Sequence, residues 1–487
     1  MRSFTCLRRV FVHEAKVLWA DRSLWLVCGL VALLVAYSLF NGIADIRGRE
    51  RTVADLQSRQ AAREQKNIEL LQRVLSGQER PDPFSNPADP ASVGGGMGAR
   101  YTVMPYLPLA PMAIGQSDMN PNYYKVSYRS KATFMYDGEL ESPWHLLSGT
   151  FDLAFVVVVL LPLAVFALSW NLLSAEREQG ILKLLLSQPL SLTTLLAGKV
   201  ALRAVALLGT VALVVLLVLG ASRAAPAGAG AWGQLAASIV VITFYAGFWF
   251  ALAAAVNALG RSSAFNALVL VTGWVLLVLV APVVMNLAVS LASPAPSRVE
   301  LSTRTRLITI DALNRYNDLL SADYRYVEAP ESLLPKNGRF EVAHRRRAHY
   351  LMGRDTDREI EALLARFDEQ LNRQQDLVER WSWWSPAVVT YEALGNLAGT
   401  GSKRYLHFKQ QVESYHAQWR AFFEPKVLDG LAMTESDFSQ LPRFQWQEVA
   451  AADRTARWLR HGLYLVLPAL LLAFLGWRRS RTYQILG

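Results

Sequence analysis

The chain has 487 residues, 52% of them apolar and only 18% charged, with a formal net charge of +10. Soluble proteins carry about 25% charged residues, and the apolar residues here are clustered. A set of soluble domains, a disordered chain and a collagen-like chain are therefore excluded. Only two cysteines occur, Cys6 in a basic segment and Cys28 in an apolar run, too few for a disulfide scaffold or a thiolate metal cluster.

In residues 1–23, Phe4, Leu7, Val10, Phe11, Ala15, Leu18 and Trp19 recur at helical spacing with cations between them. This predicts an amphipathic helix on the cytoplasmic leaflet; a simple basic flank is the alternative. The apolar run at 24–44 starts too late and is too long for a signal peptide. It is the first of six segments near the roughly 20 residues needed to cross a bilayer core: 24–44, 151–174, 202–221, 235–257, 265–288 and 461–477. The last is short, but Trp458 and Trp477 bracket it as interface anchors.

Between the runs lie two hydrophilic inserts, 45–149 and 289–459. The first holds 12 Lys+Arg and 12 Asp+Glu, the second 23 and 23. Both are neutral, so the whole +10 belongs to the spans, short connections and tails. Nearly all those cations, from Arg2 to Arg22, Arg177 to Arg203, Arg261 and Arg478 to Arg481, fall on the side opposite the inserts. Positive short loops mark the cytoplasm. The expectation is a protein of the bacterial cytoplasmic (inner) membrane, with the tail 478–487 and the N-terminus cytoplasmic and both inserts extracytoplasmic. The basic balance is explained by topology, so no nucleic-acid partner is expected.

Residues 45–79 read as a charge-laced helix continuing the first span, 80–98 as a break rich in Pro and Gly, and 100–143 as loop or short strand. The second insert predicts helices at 299–320, 340–380 and 402–424. The last two should pack against 45–79. Trp381, Trp383 and Trp384 suggest a helix at the outer membrane interface; a buried aromatic corner is the alternative. The fold class is all-α: six transmembrane helices plus a mostly helical domain built from two inserts.

Catalytic motifs fail one by one. Gly395, Gly399, Gly401 and Lys403 lack phosphate-loop spacing, and His344 and His349 lack a zincin carboxylate. Met97, Met104, Met112, Met119 and Met135 cluster in one segment. Thioethers bind Cu(I), although ordinary packing explains them better. No metal, no cofactor and no enzymatic site are expected in this chain. The polar residues of the spans, Asp152, Asn171, Arg203, Thr243, Tyr245, Asn266 and Asn286, are few, which leaves an apolar pathway or none.

The loop 175–200 is too apolar to be idle. It begins with Glu176 and Glu178, turns at Gly180, carries Ile181, Leu182, Leu184, Leu185 and Leu186, breaks at Pro189 and restarts at Ser191, a candidate N-cap. A short amphipathic helix of this kind suits a groove on a soluble partner. An interfacial helix that only anchors the bundle stays open as the plain alternative.

The pattern Glu176-Arg177-Glu178-x-Gly180-x-Leu182, then Ser187, Pro189, Ser191 and Lys199, resembles the signature of type-2 ABC exporter permeases. Ala113 to Asp118, Gly149 to Phe155 and Ser385 to Thr400 resemble a subgroup of them with large inserts after spans one and five. That subgroup carries a domain of unknown function and is related to the permease of nitrous-oxide-reductase maturation. The resemblance implies a coupling helix in contact with a separate ABC ATP-binding subunit, present in two copies that hold ATP and Mg. It also implies a second permease chain, either this one again or a similar one. Ile181 stands where the family usually has Thr. Two functions remain: an exporter permease, or a mechanotransmission subunit that relays ATP-driven motion to an extracytoplasmic partner and moves no cargo.

Overall fold

The computed structural model describes residues 2–20, 22–115, 120–136, 151–188, 191–222, 229–294, 298–317, 330–449 and 451–482. Six helices in it are long and apolar enough to cross a membrane. Helix α1 (Arg2–Ala20) precedes the first span, which opens α2 (Ser23–Leu75). The second span is α3 (Leu153–Glu178). It is followed by the short α4 (Ile181–Leu186) and by the third and fourth spans, α5 (Leu192–Ala221) and α6 (Ala229–Asn257). The fifth span is α7 (Ser263–Ala292).

Between the fifth and sixth spans come α8 (Arg298–Arg315), α9 (His344–Trp381), α10 (Pro386–Ala398), α11 (Ser402–Leu428) and α12 (Glu435–Gln440). The sixth span lies in α13 (Ala451–Arg481). One antiparallel hairpin, β1 (Arg100–Val103) with β2 (Tyr123–Val126), occurs in the first insert.

The bundle is built around α6, whose Tyr245 and Trp249 are wholly buried against Phe166, Phe248 and the facing spans. Apolar residues all round this helix leave it no polar face, as expected for a central span. Spans two and five widen into π-helical turns at Val156–Leu160 and Val275–Val280. Side chains take up the carbonyls of these turns: Tyr245 Oη donates to Val158 O (2.7 Å), Trp274 Nε1 to Val159 O (3.0 Å) and Ser385 Oγ to Leu277 O (2.8 Å).

The two inserts interlock. Leu71, Val126 and Tyr128 share one apolar core with Tyr350, Phe408, Trp419 and Phe438. Tyr124 and Tyr405 hydroxyls meet at 2.7 Å, and Asn86 Nδ2 reaches Leu333 O (2.7 Å). The projecting half of α2 differs from expectation in its neighbours. Its polar contacts go to the hairpin and α12, through Gln60 to Tyr101 N–H, Glu64 to Arg100 and Gln72 to Glu435. The hairpin fills the gap because its alternating residues supply a buried face that the helix needs. Helix α9 begins at His344 rather than 340, since Phe340 and Val342 bury from an extended segment bridged to Gly430.

Candidate functional site

The loop expected to carry function is held by ion pairs and caps at its base. Gly180 takes a left-handed turn (φ 74°) between Glu178 and α4, which a side chain at that position would strain. Ser191 caps α5 by accepting from Thr194 N–H at 3.2 Å. Pro189 lies outside the described residues.

Within α4, Leu182 is 1% exposed and packs with Val10, Leu172, Leu173, Leu192, Leu195 and Leu196. Leu184 is 73% exposed and Ile181 44%. Leu182, with Leu185 and Leu186 packed beside it, therefore fastens the helix to the bundle while two apolar side chains face away from it.

Both carboxylates of the loop have partners in this chain. Glu176 pairs with Lys199, whose ammonium also donates to Leu172 O at 3.0 Å. Glu178 accepts from Ser263 N–H (2.7 Å) and Ser263 Oγ (3.0 Å), so it sits at the N-terminus of the fifth span, where anions are favoured. Arg177 donates to Gly260 O. Within this chain the two carboxylates brace spans three and five. One turn beyond Lys199, Arg203 meets Glu14 of α1 at 2.7 Å, both buried. The third span thus ties α1 and the loop together through two adjacent ion pairs.

A polar network just above completes the brace, and the sequence reading missed most of it. Where α3 opens into turns at 170–173, Asn257 Nδ2 donates to Ser169 O (2.9 Å) and its Oδ1 accepts from Leu173 N–H (3.3 Å). Asn266 Nδ2 donates to Trp170 O (3.3 Å), and Ser263 Oγ to Ser174 Oγ (2.8 Å). Backbone freed inside a membrane must find such partners. The only signal in the sequence was the clustering of Asn257, Ser262, Ser263 and Asn266 around one short connection.

Five of the seven polar residues of the spans are bonded within the chain. Asp152 caps α3 through Phe155 N–H (2.8 Å) and holds Ile114 N–H (2.9 Å). Thr243 bonds Ile239 O, and Tyr245, Arg203 and Asn266 bond as above.

The tryptophan cluster lies at the foot of α9. Trp381 stacks on Trp384 (6.3 Å, 12°), Trp383 meets Trp384 edge-on (5.9 Å), and Trp383 and Trp384 are about half exposed. Ser385 then caps α10, which has Pro386 in its first turn. Ala387, Val389, Ala393, Leu394, Leu397 and Ala398 bury in the same core as the spans. Beside this cluster Glu379 receives Lys403 and Arg460. Burial opposes its ionisation, yet the two cations hold its carboxyl below the usual carboxylate range. This triad joins α9, α11 and the sixth span.

Met119 lies outside the described residues, and the three buried methionines of 97–135 divide between two cores. Met104 and Met135 bury in the insert core and Met112 in the bundle core. Among the described residues no group of three or more His, Cys, Asp or Glu is placed to hold a metal.

The model of a family described as a domain of unknown function, DUF3526, matches residues 325–447. That stretch holds α9 to α12 and the tryptophan cluster. No curated protein and no solved structure matches the chain.

Proposed function

We propose that this chain is the membrane subunit of an ATP-driven ABC system, one half of an exporter permease powered by a separate ATP-binding subunit. The observation that carries this reading is α4: a short helix fastened through Leu182 that presents Leu184 and Ile181 to whatever lies beneath the bundle. Two copies of the ATPase would hold ATP and Mg, and a second permease chain would complete the bundle. In this reading a push on α4 reaches the fifth span through Glu178 and the third through Glu176 and Lys199. The Glu14–Arg203 pair makes α1 follow.

The charge split of the sequence supports a location in the bacterial cytoplasmic membrane, with the inserts outside. The interlocked inserts share one side, as that topology requires.

Leu184→Asp and Gly180→Pro should each uncouple ATP hydrolysis from function while the chain still inserts. Truncating a docked apolar side chain costs about 2 kcal/mol or more at a hot spot. ATPase stimulation by the reconstituted chain measures this, and normal coupling in both variants would sink the assignment.

A second reading, mechanotransmission, is favoured by two observations. Asp152, Arg203, Thr243, Tyr245 and Asn266 are all bonded within the bundle, and α2 runs unbroken from the bilayer into the insert. Turnover of ATP that moves no lipid or solute across a proteoliposome, yet changes the labelling of the insert domain, would select it over export.

A further inference from the structure

The inserts are neutral overall, yet they gather cations at one place. Three elements meet there. Tyr101 of β1 pairs with Lys125 of β2, and its N–H is held by Gln60 of α2 at 2.7 Å. Arg63 lies one turn along α2 from Gln60, on the same side of that helix. After β2 the chain crosses α9: a Cβ on Gly353 would lie 3.8 Å from the Arg129 carbonyl carbon, and His416 bonds Arg129 O at 2.8 Å. Arg345, His349 and Gly353 follow one another at four-residue spacing on α9, so they form one row ending under Arg129.

Lys125, Arg129, Arg345 and His349 are exposed and Arg63 is half-buried. Among the described residues none of the five forms an ion pair, while their neighbours Arg100, Lys131 and Arg346 each do. The mutual effect of the five is repulsive. Lys125 is held below its ordinary range by burial and then by Arg63 and Arg129, and His349 by burial and then by Arg345 and Arg129. A neutral domain that leaves four adjacent cations unpaired, with the His349 imidazole among them as a hydrogen-bond donor, has a field available for an anion.

We propose that Arg63, Lys125, Arg129, Arg345 and His349 form a docking surface for an acidic segment of a partner protein. A lipid surface is the weaker fit. Helix α2 carries Arg63 about 25 Å past Ile46, which is still buried near the bundle, whereas charge is screened within about 8 Å at physiological salt. The row is also long and spans three elements, which suits an extended acidic chain better than a single small anion. The inference does not depend on ATPase docking at α4, and the two fail separately.

The test uses the full chain in nanodiscs of neutral phosphatidylcholine and a fluorescein-labelled oligoglutamate peptide, read by anisotropy. Binding should weaken with added salt, and should drop about tenfold in the variant Arg63→Gln, Lys125→Gln, Arg129→Gln, Arg345→Gln. A control that removes four exposed cations elsewhere on α9 (Arg358→Gln, Arg366→Gln, Arg373→Gln, Arg380→Gln) should bind like the parent. Should the first variant fail to fold, the exposed pair Lys125→Gln and Arg345→Gln carries the same comparison. Equal loss in both variants, no binding to the parent, or binding only to phosphatidylglycerol vesicles would overturn the proposal.

Discussion

Lys199 shows how much one side chain can hold. It is buried, it neutralises Glu176 and it donates to the open turn of the second span. Lys199→Ala should cost about 3 kcal/mol, mostly because Glu176 loses its counter-charge. Adding Glu176→Gln should recover much of that loss in a thermal melt; no recovery would show that the pair is not the cause. His416 gives a pH signature. Burial, then Arg420, pushes its imidazole down to about 3 against the hydrogen bond to Arg129 O, with Lys131 adding to the effect. The unfolded chain therefore binds more protons between about 6.5 and 3. Stability is complete above that window and falls as pH drops through it, by as much as about 4 kcal/mol. Asp357, raised by burial despite Arg420, Ser130 and Lys131, opposes this trend in the carboxylate range. Unfolding followed by tryptophan fluorescence should show a flatter slope from pH 6.5 to 5 in His416→Gln, whose amide can still donate to Arg129 O. At this scale the sequence exposed the charges of the loop but not their partners. Glu178 and Ser263 lie 85 residues apart, and spacing cannot say that such groups meet.

Among elements, α10 was the least legible. Its 13 residues are too few to read as a span and too apolar for a solvated helix, so both an interface helix and a buried corner fitted. The structure divides the answer: Trp383 and Trp384 at its head stay about half exposed while the helix body enters the bundle core. Two substitutions should therefore behave differently. Leu394→Asp buries a charge without a partner and should cost more than about 4 kcal/mol, seen as loss of folded protein after detergent extraction. On the proposed ABC reading, replacing Trp381, Trp383 and Trp384 by Ala should leave the fold and ATPase assembly intact while lowering function. Equal damage from both would place the tryptophans in the core after all. The spans themselves were legible because hydropathy needs no tertiary information. What their polar residues bond was not legible, because a hydroxyl or amide in lipid takes its own or a neighbouring helix's backbone, and Tyr245 and Val158 lie 87 residues apart.

For the whole molecule, the sequence assigned both inserts to one side from charge alone, and their shared core supplies an independent reason. Ser85 adjoins Asn86, which bonds Leu333, the neighbour of Ser332. Single cysteines at Ser85 and Ser332, in a background lacking Cys6 and Cys28, should both react with an impermeant thiol reagent applied outside intact cells. Reaction of one without the other would contradict the interlocked core. Protection of both would reverse the orientation.

That core also orders events during synthesis. Tyr124 and Tyr405 are 281 residues apart in the chain, and four spans separate the inserts that carry them. At roughly 5–20 residues per second of translation, the first insert waits about 15–55 s with Leu71, Val126 and Tyr128 lacking their final cover. The water-facing domain cannot close before the fifth span has crossed the bilayer. Its completion therefore reports that membrane insertion has succeeded, and a chain stalled before α11 presents a bare apolar surface to the proteases on that side.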